Sequence, residues 1–371
     1  MPSKKSVLLL LVGCLVASVA CGGTAFGADM ETVTCGQGLP QPRVVEGKPL
    51  HVGYCAPNMT SESCQRDWWQ ARVEAEHRGW ELTPILDAET QDAQRDGMRN
   101  LINKNVDAVV LVYWEMEPLR DLILEARNKG IGVYCGDTEL RDGVIINTTQ
   151  PNGVVGAQMF YYGLDKLGGR GKMLILNITY HILRRRCYAA QGLVENDWPA
   201  LELVGFENMP VPGWEKASFD LTANYLTRYG DELNWIFAGW DTPGLFAARA
   251  IEQAGYTRDD IFVTGIDGGS QAYGDIRKGS PFIATMSQPF EQYIHEAFEL
   301  VNEIQSEGIG IGEKGSSVPM SRIMYLPPVL TTPQNLPEFG ASIHQVFAST
   351  YYDPDDSQAW YFWGEPYKIK A

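Results

Sequence analysis

Several side chains that could bind a ligand directly follow apolar runs of this sequence. In an open parallel sheet, ligands bind beyond the carboxyl ends of the strands, so residues at such positions are the first candidates for a site. The candidates are Asn58, Trp68, Trp69, Trp114, Asp137, Trp240, Asp241 and Asp267. A carboxylate accepts two hydroxyl hydrogen bonds in one plane, and an indole face covers the C–H face of a ring. Aspartate and tryptophan together indicate a site for a small polyhydroxylated ligand.

The same residues also have structural interpretations. Each aspartate could cap the helix that follows it, which is a common role for aspartate after a strand. Trp114 and Trp240 could pack at the edge of a lobe. Trp68 and Trp69 are adjacent on a predicted helix and point about 100° apart, so they cannot share one buried stripe. One of these two is expected in the binding cleft.

Motifs of common enzyme and metal sites are missing from the sequence. There is no HExxH and no GxSxG, and the five histidines lack metal-ligand spacing. Gly168–Lys172 is glycine-rich, but it precedes a strand and lacks the Ser/Thr of a phosphate loop, so it predicts a turn. A hydrolase with Asp137 and Asp267 as its acid/base pair is an alternative. The sequence favours binding without catalysis, cofactor or metal.

Alternating strands and helices must position these residues. Apolar runs predict buried parallel strands, and segments of helical period lie between them. The predicted strands are Leu50–Cys55, Val106–Tyr113, Ile131–Cys135, Lys172–Ile178, Trp235–Ala238 and Ile261–Ile266, and the helices include Gln65–Arg78, Glu117–Lys129, Thr242–Ala254 and Glu291–Ile304. A chain of 371 residues with this pattern is long enough for two α/β lobes with separate cores.

The N-terminus predicts export. Lys4 and Lys5 precede the apolar run 7–20, and small residues near Ala28 complete the pattern of a secretory signal peptide. A lipoprotein anchored at Cys14 or Cys21 is an alternative to a soluble exported protein.

Five cysteines follow residue 28, and an oxidising compartment would permit disulfides between them. Cys55 and Cys64 are the nearest pair and could close one loop.

The charge excludes two classes of partner. The formal net charge is −16, which repels phosphate backbones and anionic lipid headgroups. Nucleic-acid binding and membrane-surface binding are therefore not expected.

Five motifs, taken in order, resemble the ribose/galactose type of periplasmic binding protein of ABC importers. They are Val106–Val110 and Ala126–Val133 in the first half, and Gly265–Gly268, Ile276–Gly279 and Ala284–Gln288 in the second. The resemblance covers the chain from about Leu50 to Pro327. It implies a type I periplasmic binding protein fold, with two Rossmann-like lobes of parallel sheets flanked by helices and joined by a three-crossing hinge.

The resemblance also implies a function. Proteins of this type capture a small polar ligand between their lobes and deliver it to an ABC permease in the membrane. For this chain it implies a periplasmic monomer that binds a sugar or polyol. Two alternatives stay open: a sensory receptor of the same fold for a signal molecule, and a binder of a flat aromatic or cationic solute held by tryptophans.

The resemblance assigns residues to the ligand as well. Asp137 and Asp267 match the family's two ligand-binding aspartates, and Gln288 matches a glutamine at the hinge. Asn58, Trp68, Trp69 and Trp214 lie near other ligand-contacting positions of the family, and Asp241 follows the position of Trp240.

Two positions depart from the family pattern. Ala189 stands where the family carries an arginine before a glycine, although Arg186 lies on the same helix and could reach the ligand. Trp240 stands where sugar binders often carry asparagine. Both departures indicate a more aromatic pocket than a ribose site.

The predicted boundaries follow from the expected hinge crossings near residues 148–150, 287–289 and 322–327. Lobe one comprises 49–149 and 289–322, and lobe two comprises 150–288 and 323–330. Residues 1–28 form the signal peptide, 29–48 a leader, and 331–371 an aromatic extension packed on one lobe.

Overall fold

The structure is a computed structural model that describes residues 38–210, 213–348 and 359–370. The predicted signal peptide, both lipoprotein motifs and Cys35 lie outside these ranges. Among the described helices, none combines the length and apolarity needed to cross a membrane.

The first lobe is built on five parallel strands, in the order β2-β1-β3-β4-β5. Its central strand β3 reads AVVLV and is buried throughout, as expected for a strand covered by helices on both faces. The strands are β1 (His51–Cys55), β2 (Glu81–Ile85), β3 (Ala108–Val112), β4 (Gly132–Gly136) and β5 (Ile146–Thr149), and the helices are α1 (Glu62–Arg78), α2 (Gln91–Asn103) and α3 (Arg120–Asn128).

The second lobe repeats the arrangement, with parallel strands in the order β7-β6-β8-β9-β10. Its helices again cover both faces of the sheet, with one core cluster on each face. The strands are β6 (Gly171–Asn177), β7 (Leu201–Asn208), β8 (Trp235–Ala238), β9 (Phe262–Asp267) and β10 (Phe282–Ser287), and the helices are α4 (Asn152–Lys166), α5 (His181–Asp197), α6 (Trp214–Tyr229), α7 (Asp241–Gln253) and α8 (Ser270–Lys278).

The chain crosses between the lobes three times. It leaves lobe one after β5, and it returns after β10 to form α9 (Phe290–Val301), which packs on α1. Strand β11 (Ile323–Tyr325) then pairs with β5, and strand β12 (Val329–Thr331) pairs antiparallel with β10. The predicted fold class, with two parallel-sheet lobes and a three-crossing hinge, is confirmed.

One predicted boundary is wrong. Residues 323–330 were assigned to lobe two, but Ile323–Tyr325 extends the sheet of lobe one. The third crossing is therefore confined to the three residues between β11 and β12. This strand reads Ile-Met-Tyr, and a run of three residues is too short to be recognised as a strand from its apolar pattern.

The predicted disulfide between Cys55 and Cys64 is also wrong, because both residues are free thiols. Side chains alternate between the two faces of β1. Cys55 joins the core on one face, whereas Tyr54 joins the core on the other face, against which α1 packs. Since α1 carries Cys64, the sheet separates the two sulfurs.

The C-terminal extension contacts both lobes and not one lobe as predicted. We call residues 333–348 and 359–370 the C-terminal strap. It contains the short helix α10 (Ile343–Phe347) and has a small apolar cluster of its own.

On lobe one, Trp363 of the strap stacks on His77 at a ring-centroid distance of 3.7 Å, and Trp360 stacks on His295 at 4.5 Å. On lobe two, the backbone N–H of Lys370 donates to Ser270 Oγ at 2.8 Å. The strap therefore bridges helices of both lobes.

We expect Trp363→Ala to lower the free energy of unfolding by about 1–3 kcal/mol, because it removes a stacked, half-buried aromatic ring. Urea denaturation would measure the loss. Tyr161→Ala is the control, since Tyr161 is a largely exposed aromatic residue on α4 and should change stability much less. Equal losses in both variants would contradict the anchoring role of Trp363.

Candidate functional site

A cavity of about 400 Å³ lies between the lobes, at the carboxyl ends of both sheets. Loops after β1, β3 and β4 form its wall on lobe one, and loops after β6, β8 and β9 form its wall on lobe two. This is the position where open α/β sheets bind ligands. The cavity lies within the size range of small-molecule sites, about 300–1,000 Å³.

Arg186 of α5 joins the two lobes at the centre of the cavity. Its Nη1 lies 3.3 Å from Asp267 Oδ1 in lobe two, and its Nη2 lies 3.6 Å from Asp137 Oδ2 in lobe one. Nη1 also donates to the carbonyl of Gly239 at 3.0 Å, and Nε donates to Asn152 Oδ1 at 2.6 Å. The side chain is 1% exposed. Although Ala189 stands where the family pattern has an arginine, Arg186 of the same helix places a guanidinium at the cavity.

Both aspartates keep acceptor capacity. Asp137 Oδ1 accepts hydrogen bonds from Thr149 and Asn152, but Asp137 Oδ2 is buried without a hydrogen-bond partner. Burial raises the pKa of Asp137, an effect that Arg186 and the two hydrogen bonds partly offset. A ligand hydroxyl donated to Asp137 Oδ2 would satisfy this orphaned acceptor.

Asp267 lies opposite, at the end of β9. Its Oδ1 accepts from Gln288 Nε2 at 2.6 Å, and Gln288 itself lines the cavity at the second hinge crossing. Burial raises the pKa of Asp267; Arg186 opposes this increase, and the neighbouring Asp241 adds to it. Asp137 of lobe one also raises the pKa of Asp267, so separating the lobes would change the surroundings of both aspartates.

Strained backbone is concentrated at these strand ends. Tyr113 has φ 55°, Asp137 has φ 42° and Asp267 has φ 152°, and all three line the cavity. Non-glycine residues with positive φ are uncommon, and they cluster at sites where function imposes the conformation.

Two tryptophans form an aromatic corner on lobe two. Trp214 and Trp240 both line the cavity, with ring centroids 6.2 Å apart and planes at 65°. Indole faces in this arrangement can cover the apolar side of a ring or of a carbon chain.

Three residues that were predicted to contact the ligand do not line the cavity, so these predictions are wrong: Trp68, Trp69 and Trp114. Trp68 packs on the core of lobe one beside Tyr54, and the Nε1 of Trp69 donates to the carbonyl of Glu365 in the strap at 2.7 Å. Trp114 is fully buried in the core on the other face of the sheet. Helical periodicity predicted that Trp68 and Trp69 point in different directions. It could not predict the C-terminal strap, which contacts Trp69.

Asn58 and Asp241 line the cavity but also have structural roles. Asn58 Oδ1 accepts from the backbone N–H groups of Thr60 and Ser61, so it shapes the turn before α1. The carboxylate of Asp241 accepts from the N–H groups of Gly268 and Gly269, at 2.9 Å each. Asp241 therefore holds the loop that follows Asp267, instead of capping its own helix.

Glu62 and Arg66 of α1 line the cavity as well and were not predicted. Glu62 crosses the cleft, accepting from Ser270 N at 2.9 Å and from Ser270 Oγ at 2.7 Å. Arg66 forms a buried two-bond ion pair with Glu291 of α9 and donates to the carbonyl of Gln288. Glu62, Arg66 and Gln70 are four residues apart, so they lie on one face of α1. This spacing could have indicated Glu62 and Arg66 from the sequence.

The lobes also meet at His181, the first residue of α5. Burial lowers the pKa of His181 to about 3, so the ring is neutral near pH 7. Its Nε2 lies 3.0 Å from the carbonyl oxygen of Thr138 in lobe one and donates to it. This contact and the contact between Glu62 and Ser270 both join the two lobes across the cleft. The structure is therefore that of a closed cleft.

Two clusters in the described part of the chain bring potential metal ligands close together. They are Glu74, His295 and Glu299, and Glu115, Glu139 and His181. In each cluster an arginine already binds a carboxylate: Arg78 pairs with Glu74, and Arg141 pairs with Glu139. A cation would have to displace these ion pairs, and neither cluster lies within the cavity wall.

Comparison with known proteins agrees with this architecture. Residues 52–308 match the sequence profile of the family described as periplasmic binding protein domain. The chain is 27% identical over 207 residues to a xylitol-binding protein of Mycolicibacterium smegmatis. That match covers 54% of this chain and 56% of the relative, so it spans little more than half of the relative's length.

Solved structures share the fold. A 5-methylthioribose transporter solute-binding protein from Thermotoga lettingae has a TM-score of 0.72 at 19% identity, covering 86% of this chain and 99% of its own. An ABC transporter solute-binding protein from Agrobacterium vitis with bound allitol has a TM-score of 0.69 at 19% identity, covering 78% and 97%.

We expect Asp267→Asn to flatten the pH dependence of stability in the unliganded protein. Because the folded state raises the pKa of Asp267, it binds the proton more tightly than the unfolded chain does. This stabilisation is complete below the ordinary aspartate pKa of about 3.9 and is lost as the pH rises towards the raised value.

Urea denaturation between pH 4 and pH 8 would therefore give a steeper fall in unfolding free energy for the wild type than for the variant. Asp259→Asn, an exposed aspartate outside the cleft, should keep the wild-type slope. A slope unchanged in Asp267→Asn would contradict the assignment.

Proposed function

Because this chain belongs to the periplasmic binding protein domain family, we propose that it captures a sugar or polyol between its lobes and delivers it to an ABC permease. The family consists of binding proteins and not of enzymes, and membership implies a location outside the cytoplasm. Export by the N-terminal signal sequence and action as a monomer are parts of the proposal, and a lipid anchor at Cys14 or Cys21 is its alternative form.

The observation that carries the proposal is the position of Arg186 between Asp137 and Asp267. A ligand at this point meets donors from the guanidinium and free acceptors on both carboxylates. Hydroxyl groups suit such a site because each can donate to a carboxylate and accept from an arginine.

The ligand class follows from the balance of charge and aromatic surface. A cationic solute is disfavoured because Arg186 already occupies the space between the carboxylates. A carbon chain or ring that carries hydroxyl groups would place its C–H groups against Trp214 and Trp240. The relatedness to a xylitol-binding protein supports a polyol.

Closure of the hinge is the proposed mechanism. A ligand that contacts Asp137 in one lobe and Asp267 in the other binds the closed form better than the open form. Its binding energy therefore shifts the population towards closure. The permease would then recognise the closed form.

We expect thermal-shift measurements to detect a ligand in a panel of xylitol, ribitol, D-arabitol, D-ribose and L-arabinose. A ligand at one hundred times its dissociation constant adds about 2.7 kcal/mol of stability. The absence of any shift across the panel at millimolar concentration would contradict the proposed ligand class.

A matched pair of variants separates binding from support of the fold. Asp267→Asn should weaken affinity for the ligand found in the panel by about tenfold or more, because an amide cannot accept in place of the second carboxylate oxygen. Asp241→Asn should instead lower the unfolding free energy by about 1–3 kcal/mol, because Gly268 and Gly269 lose an acceptor. Isothermal titration calorimetry and urea denaturation would measure these effects, and a reversed pattern would contradict both roles.

A further inference from the structure

The two ends of the cavity differ in chemistry. The strands of lobe two are ordered β7-β6-β8-β9-β10, and residues that follow all five strands line the cavity. The carboxylate of Asp267 and the amide of Gln288 come from the hinge side, at the ends of β9 and β10. Arg186 reaches the same place from α5, since its Nη1 lies 3.3 Å from Asp267 Oδ1. We call this part of the cavity the charged end.

The other end of the cavity is largely apolar. Six side chains, which we call the apolar wall, follow the three neighbouring strands β7, β6 and β8. They are Ile178, Ile182, Leu183, Trp214, Trp240 and Leu245. Tyr180 and Thr242 add hydroxyl groups here. Asp241 also follows β8, but its carboxylate accepts from Thr285 and from the loop after β9, so it is held on the hinge side.

A polyol alone matches the charged end better than it matches the apolar wall. It carries a hydroxyl group on every carbon, so its C–H groups can cover only part of the wall before its hydroxyls become buried there. A buried hydroxyl without a hydrogen-bond partner costs the full desolvation of the group. Trp214 supplies no donor to it, because the Nε1 of Trp214 is buried. Hydrocarbon at the same place would be stabilised by the hydrophobic effect.

The volume of the cavity leads to the same conclusion. An apolar cavity of about 150 Å³ holds one benzene molecule, or roughly 25 Å³ for each non-hydrogen atom. On that scale a pentitol, with its ten non-hydrogen atoms, fills roughly 250 Å³. The cavity of about 400 Å³ therefore has room for about six further atoms.

We propose that the ligand carries an apolar arm of about four to six carbon atoms on its polyhydroxylated part, and that the apolar wall binds this arm. The inference rests on the proposed function, since it adds an arm to a ligand of the sugar or polyol class. The ligand is then an alkyl or aryl derivative, with its hydroxyl groups at the charged end and its arm against the apolar wall.

Calorimetry with matched ligands tests the arm. Each of the five panel compounds would be titrated beside its O1-butyl and O5-butyl derivatives, so that either end of the molecule can carry the arm. Burial of one methylene group improves affinity by about fourfold. The better butyl derivative should therefore bind at least about tenfold more tightly than its parent compound.

A second set of ligands tests whether the wall selects hydrocarbon. A 2-methoxyethyl group has the length of a butyl group, with an oxygen in place of one methylene group. Against the apolar wall this oxygen would be buried without a donor. The 2-methoxyethyl derivative should therefore bind about tenfold more weakly than the butyl derivative at the same position.

A variant of the wall provides the matched test on the protein. Leu183→Asn places an amide in the wall, and the arm would separate this amide from water. The ratio between the Kd of the parent compound and that of its butyl derivative should fall from about tenfold or more to below about threefold. Leu193→Asn is the control and should keep the wild-type ratio, because Leu193 is a half-buried leucine of α5 that packs on the core and is not among the residues that line the cavity.

Three results would overturn the inference. They are parent compounds that bind at least as tightly as both of their butyl derivatives, a 2-methoxyethyl gain as large as the butyl gain, and a butyl gain that Leu183→Asn leaves unchanged. A butyl derivative that binds although its parent compound does not would support the arm. The absence of binding by every panel compound and every derivative would instead contradict the proposed function.

Discussion

The burial of Arg186 between two carboxylates is the constraint on which the site depends. A buried charge is tolerated only when it is paired and hydrogen-bonded, and Arg186 meets this requirement with partners from both lobes. Its contact with Asp137 exists only while the lobes are together. Opening the cleft would expose the guanidinium and the Asp137 carboxylate to water, so the electrostatics of the site and the position of the lobes form one coupled system.

The cavity also retains local instability. Tyr113, Asp137 and Asp267 hold positive φ angles, and Asp137 Oδ2 is buried without a hydrogen-bond partner. The fold tolerates these unfavourable conformations because the surrounding sheets and helices are well packed, with a core cluster on each face of each sheet. Asp137 Oδ2 can therefore accept a hydrogen bond from a ligand without first breaking an internal one.

The strands that could be predicted from the sequence are those with a continuous apolar run. Strand β3 is buried throughout and was recognised, whereas the edge strand β2 reads ELTPI and the hinge strand β5 reads INTT, and both were missed. Strand-end position identified Asp137 and Asp267, because it depends on topology. It failed for Trp114, because the end of a strand does not reveal which face of the sheet a side chain takes.

The C-terminal strap affects the fraction of unliganded molecules that are closed. Because it is anchored at His77 and His295 on lobe one and reaches Ser270 on lobe two, it acts as a tether that keeps the lobes at a high effective concentration. Apparent affinity equals intrinsic affinity multiplied by the fraction of molecules already in the binding-competent state. A tether that enriches the closed state before any solute arrives raises the apparent affinity without adding a single ligand contact.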